Sequence, residues 1–321
     1  MTNDDKILDT PIEKYAGVPP LFMLSILGLI VFLCLLVGLG FGEGYSYFKG
    51  MDLAASLANL TSKSATSTRD FIRTNLLINH LSTFVVPGIV FAYFFYKNKW
   101  ASFLRISNFP KLYNLLLGSM LILAAFPLAQ FAFWLNMKIP MPAILIEMEQ
   151  GTAEMVKNLL LVEQPHELWF NLFVIAVIPA IGEEFIFRGI LQKKLMEHMK
   201  NQHVAIWVAA LIFSAIHMQF QGFLSRILLG GILGYLYHWT GNLWVAIFAH
   251  LVNNAAQIVG QYFFQKGMIE INMEETIVDV NWAMTLIAFV LVGVLSYVMI
   301  KLNNSNSNSN SNSNSEIKKI S

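Results

Sequence analysis

Eight stretches of this chain are apolar runs at or near the length that crosses a bilayer: 21–42, 76–96, 112–135, 170–190, 204–220, 223–240, 243–264 and 282–300. A helix rises about 1.5 Å per residue, so roughly 20 apolar residues bridge a hydrocarbon core of about 30 Å. No water reaches the backbone there, and a spanning segment must satisfy its own N–H and C=O groups. None of the runs sustains the period-two alternation of a membrane strand. The pattern predicts an all-α polytopic membrane protein with about eight transmembrane helices.

Two segments between or beyond the runs differ from them. Residues 143–160 set Ile144, Leu145, Met148, Met155, Leu159 and Leu160 near helical spacing among acidic positions. That predicts an amphipathic helix lying on the outer membrane interface. Residues 303–315 are almost pure Asn-Ser alternation. Such a tract buries no apolar area and reads as a disordered tail. The chain then divides into a cytoplasmic N-terminal segment (1–20), N-terminal transmembrane helices with outer loops (21–165), a helical core (166–264), a C-terminal transmembrane helix (265–302) and the tail (303–321).

Composition agrees with a lipid-solvated chain. Of the 321 residues 56% are hydrophobic and 13% charged, against roughly 25% charged in a soluble domain. The net charge of +1 supplies no basic field for nucleic acid. The single cysteine, Cys34, excludes an internal disulfide and a cysteine zinc site, and it reads as a small hydrophobe. The first run is longer than a cleaved signal's apolar region of about 7–15 residues, so it reads as a retained anchor. Lysine and arginine place the segments after the second and fourth runs and the C-terminal tail on one side, the cytoplasm, through Lys97, Lys99, Arg105, Lys111, Lys193, Lys194, Lys200, Lys301, Lys318 and Lys319. Both termini are then cytoplasmic and the acidic segment 136–167 is outside. Lys49, Lys63, Arg69 and Arg73 in the outer segment 43–75 run against that assignment.

Polar residues inside apolar runs carry the candidate chemistry. A charge at the bilayer centre costs at least about 2.5–3.5 kcal/mol, yet Glu183 and Glu184 sit between Phe173–Ile178 and Phe185–Phe187. Glu184 and Arg188 are four apart and can pair on one helix face. Glu183 points about 100° away and stays available. A helix-end cluster snorkelling to the interface is the plainer alternative. His217 follows the apolar run 208–216, where a lone histidine is ordinarily a packing residue. His250 and Asn254 share a face, and Asn253, Gln257 and Gln261 add amides that read equally as interhelical glue. Counting residues from the helix ends puts Glu183, His217 and His250 at overlapping depths of about 10–20 Å. One cavity approached from the cytoplasmic half could hold them all.

Two kinds of site use such a set. In one, Glu183 and a histidine activate water, and His250 and Asn254 donate to the oxyanion. In the other, Glu183, His217 and His250 hold zinc, which lowers the pKa of bound water to about 7. Both hydrolyse peptides. The rivals are a non-catalytic membrane immunity or scaffold protein that keeps the cluster for packing, and a proton-coupled transporter. The chain lacks the internal repeats and broken helix pairs of the latter. Other protease signatures are absent: His166-Glu167 is not followed by a zinc motif, and no Gly-x-Ser-x-Gly elbow occurs.

Three segments resemble a known family. Glu183-Glu184-Phe185-Ile186-Phe187-Arg188 resembles the Glu-Glu-x-x-x-Arg motif of the CAAX protease and bacteriocin-processing intramembrane proteases, the type II CAAX prenyl endopeptidases. Phe213-Ser-Ala-Ile-His217 is similar to the second motif and His250-Leu-Val-Asn-Asn254 to the third. The resemblance covers roughly 170–260. It implies an all-helical membrane enzyme that cleaves a peptide or protein substrate at the membrane. Glu183 is then the water-activating carboxylate with His217 as partner, His250 and Asn254 the oxyanion donors, and Glu184 with Arg188 the pair that shapes the site. The family has been described both as metalloproteases and as glutamate-dependent proteases. It includes CAAX processing, bacteriocin maturation and self-immunity.

Overall fold

The computed structural model describes Pro11, Tyr15, residues 17–270 and residues 280–320, with 305–320 as backbone only. Among these residues there are helices and no strands. They are α1 (Pro20–Lys49), the short α2 (Leu53–Ala58), α3 (Thr66–Phe103), α4 (Leu112–Asn136), α5 (Ala143–Leu159), α6 (Pro165–Met199), α7 (Gln202–Ala215), α8 (Phe223–Thr240), α9 (Leu243–Gln265) and α10 (Trp282–Ile320). The chain is thus an all-α multi-pass membrane protein. Six of the helices (α1, α3, α4, α6, α9 and α10 as far as Asn304) are long and apolar enough to cross a membrane.

That is two fewer than the eight runs suggest. The run 204–220 holds only the 14-residue α7, about 21 Å long, after which the chain turns. The run 223–240 is the 18-residue α8, which carries Arg226 in its first turn. α7 and α8 pack against one another as a short hairpin. The tail departs from expectation as well: α10 continues through the Asn-Ser tract to Ile320. Once the apolar part of a helix is formed, each added residue gains a backbone bond without a new nucleation step. The amphipathic helix expected at 143–160 is α5.

Packing follows the apolar stripes. Phe91, Phe95 and Phe103 of α3, Phe185, Phe187 and Ile190 of α6, and Leu243 and Ile247 of α9 form one core. Leu121 and Ile122 of α4 meet Leu233, Leu236, Val245 and Ala249 in a second. At the end bearing the lysines, the Tyr96 and Phe103 rings stack 3.7 Å apart, Lys193 donates to the Phe103 carbonyl, and the Trp244 indole donates to the Ile106 carbonyl at 3.0 Å. That end is plugged.

The opposite end is tied by buried charge. Arg69 meets Glu167 at 2.8 Å, and Arg73 meets Glu167 at 2.9 Å and Asp70 at 2.8 Å. Arg73 also donates to Asn171 at 2.7 Å and to the Leu159 carbonyl at 2.6 Å. Glu163, outside the spans, meets Arg69 at 2.8 Å, which holds its carboxyl below the usual range. Arg69 and Arg73 therefore serve as neutralised internal ties between α3 and α6. Two of the four cations that oppose the orientation rule are accounted for in this way.

Candidate active site

α6 supplies the carboxylates, and its backbone is not a uniform α-helix. Leu172–Val177 and Phe185–Gln192 are wound as π-helix on either side of the α-helical Ile178–Glu184. Such widened turns interrupt the regular i→i−4 ladder and recur at functional sites. Glu183 and Glu184 lie at the C-terminal end of the α-helical piece, 5% and 0% exposed.

Glu184 is the hub of a buried chain. Arg188 Nη1 donates to Glu184 Oε1 at 2.7 Å, and Arg188 Nη2 donates to the Gly230 carbonyl at 2.9 Å. The guanidinium lies over the Phe213 ring, 4.7 Å from its centroid. Arg188 is 1% exposed, so it does not snorkel. His250 Nδ1 is 2.9 Å from the same Glu184 oxygen. A carboxylate paired with arginine accepts, so Nδ1 carries the proton of that bond and Nε2 is turned the other way. There His250 Nε2 stands 3.9 Å from Glu183 Oε2. Gly230 makes this possible: a Cβ there would come within 3.3–3.4 Å of Ala210, Phe213 and Arg188.

His217 lies in the turn after α7, with Nδ1 2.7 Å from the Phe213 carbonyl. Nδ1 is thus the donor and the Nε2 lone pair is left for the cavity. On α9, Asn253 Nδ2 donates to Asn254 Oδ1 at 3.0 Å, which commits Asn254 Nδ2 to donating, and it reaches the Ile175 carbonyl at 3.4 Å. That carbonyl belongs to the first π-helical stretch.

Glu183, His217, His250 and Asn254 line one cavity of about 710 Å³, while Glu184 and Arg188 stand behind its wall. The expected sharing of one cavity holds, but the approach differs from expectation. The walls extend to Val156 and Leu160 at the end of α5 and to Gln219 and Gly222 in the α7–α8 turn, away from the lysine-bearing end. The aromatic plug closes that end, whereas the shortness of α7 leaves a recess at the other. Glu149 of α5 covers the recess by accepting from the backbone N–H groups of Phe220 and Gln221.

His80 and Arg226 also line the cavity, and the sequence reading passed over both. Each is a polar residue inside an apolar run, the signal that singled out His217. A metal requires convergence as well as suitable donors. His217 and His250 have their Nδ1 atoms engaged in the outer bonds usual behind zinc. Yet among the described residues no three His, Cys, Asp or Glu side chains come together closely enough to hold an ion.

Residues 165–256 match the family model described as Rce1-like, Type II CAAX prenyl endopeptidase Rce1-like. Two proteins of Bacillus subtilis (strain 168) are similar to the chain. "Uncharacterized protein YpbD" is 34% identical over 95 residues, 28% of this chain and 43% of that protein. "Putative membrane peptidase YdiL" is 32% identical over 90 residues, 28% of this chain and 36% of that protein. The chain thus matches less than half the length of each of these relatives. No solved structure matches. The resemblance carried by the three motifs is borne out over residues 165–256, the segment in which the chain is similar to the Rce1-like type II CAAX prenyl endopeptidases.

Proposed function

We propose that the chain is an intramembrane endopeptidase that hydrolyses a peptide bond of a membrane-associated or prenylated-type peptide. The observation that carries this reading is the arrangement of Glu183, His217, His250 and Asn254 around one cavity, with Glu184 and Arg188 bracing His250 from behind. The family-model match over 165–256 supports it, as does the printed name of the second relative.

The residues divide the work of hydrolysis. Water held between Glu183 and His217 Nε2 gives its proton to Glu183 as its oxygen adds to the scissile carbonyl carbon. The carbonyl becomes an oxyanion, which accepts from Asn254 Nδ2 and from a protonated His250 Nε2. When the C–N bond breaks, Glu183 returns the proton to the leaving nitrogen, and its carboxylate is restored. Glu184 fixes the His250 ring through Nδ1, a positioning role like that of the third member of a triad. Zinc held by Glu183, His217 and His250 is the alternative assignment of the same donors. Among the described residues no converging donor triplet supports it geometrically.

The test is cleavage of lipidated and unlipidated peptides by the purified full chain in liposomes. Glu183→Gln and His217→Ala should each reduce cleavage at least a hundredfold, while detergent-extracted protein still elutes as a folded species. Undiminished cleavage by both variants overturns the reading. Metal content measured on the same samples, with cleavage before and after chelation, separates the two assignments.

We further propose that both termini are cytoplasmic, on the lysine and arginine pattern and on the burial of Arg69 and Arg73. The recess beside α5 then faces outward.

A further inference from the structure

We infer that Arg226 forms a carboxylate-binding subsite that anchors the peptide in the cavity. This deepens the protease reading and rests on it. Arg226 lines the same cavity as Glu183, His217 and His250. Its Nη1 donates to Gln219 Oε1 at 3.1 Å, and Nη2 donates to the Gln219 carbonyl. Both acceptors are neutral. Nε is buried with no partner among the described residues, and no carboxylate there pairs with the guanidinium. The nearest acid, Glu149, accepts from the Phe220 and Gln221 amides and attracts the guanidinium only at longer range, without forming an ion pair with it.

The placement is also unfavourable for structure alone. Arg226 is in the first turn of α8, which holds no acidic residue, and a cation at a helix N-terminus opposes the helix dipole. A charge withdrawn from water costs further unless it is compensated. The other internal arginines, Arg69, Arg73 and Arg188, each have a carboxylate within 2.9 Å. Arg226 differs in facing an open cavity. A guanidinium with an unused donor matches a carboxylate in geometry and charge. A peptide offers that group at its C-terminus or on an Asp or Glu side chain. Either would set which bond lies beside Glu183.

The experiment uses the purified full chain in detergent and a fluorescent apolar octapeptide in three forms: free C-terminus without internal acids, amidated C-terminus without internal acids, and amidated C-terminus with one internal Glu. Wild-type protein should bind at least one carboxylate form about ten- to a hundredfold more tightly than the neutral form. The form preferred identifies the source of the carboxylate. Arg226→Gln should abolish the preference and Arg226→Lys should retain part of it. Equal binding of the three forms by wild-type protein overturns the proposal without reliance on any variant, as does an undiminished preference in a folded Arg226→Gln protein. Hydrolysis is followed in the same samples. Cleavage without carboxylate preference sinks this inference alone, whereas Arg226-dependent preference without cleavage sinks the protease reading alone.

Discussion

At the residue scale the decisive group is Glu184, which serves two partners with one oxygen. A buried ion pair contributes little net stability, but removing one member leaves an uncompensated charge costing about 3–5 kcal/mol. Glu184→Gln is expected to lower thermal stability in detergent by an amount of that order, because Arg188 keeps its charge at 1% exposure. Cleavage should fall at the same time, since His250 loses the carboxylate that orients it. The double variant Glu184→Gln, Arg188→Met should recover much of the stability and none of the cleavage. If cleavage returns with stability, Glu184 matters only for packing.

At the element scale, close helix approach decides whether the site forms. A Cβ on Gly231 would lie 2.7 Å from the Trp207 ring, so Gly231→Ala obliges that ring, and the α7–α8 contact it makes, to shift. Overpacking of this kind costs about 1–3 kcal/mol. Unfolding of Gly231→Ala should show that loss, and Trp207→Ala added to it should relieve part of the strain. Small residues serve close contact between membrane helices generally, and here they also hold Gly230 against Arg188. The contact of α5 with the α7–α8 turn rests on the Glu149 carboxylate. Glu149→Gln should raise hydrogen exchange at Phe220 and Gln221 without changing exchange in α9. Uniform exchange changes across the bundle would argue against a local tie.

For the whole molecule, the testable property is sidedness. Single cysteines at Lys63 and Lys200, placed in a Cys34→Ser background, should react with an impermeant reagent from opposite faces of intact cells. The Lys63 position is expected outside. Labelling of both from one face would overturn the orientation, and with it the outward direction of the α5 recess. The buried Arg69 and Arg73 ties show why these two cations do not count against that orientation: both are paired with carboxylates inside the protein.

The sequence by itself determined the helical class and the membrane solvent, and it singled out the six polar residues of the candidate site. Hydrocarbon leaves few ways to satisfy a backbone, and charge within it is costly enough to be conspicuous in one dimension. Helical spacing also determined the Glu184–Arg188 pair, because residues four apart on one helix are neighbours whatever surrounds them. Only the tertiary structure decided that the pair is braced by Gly230 and turned toward His250, since Gly230 lies 42 residues from Arg188 and His250 lies 66 from Glu184. The same holds for the two short helices, the π-helical turns and the end at which the cavity lies. Hydropathy records how apolar a segment is, but not where it bends or which neighbour replaces the lipid.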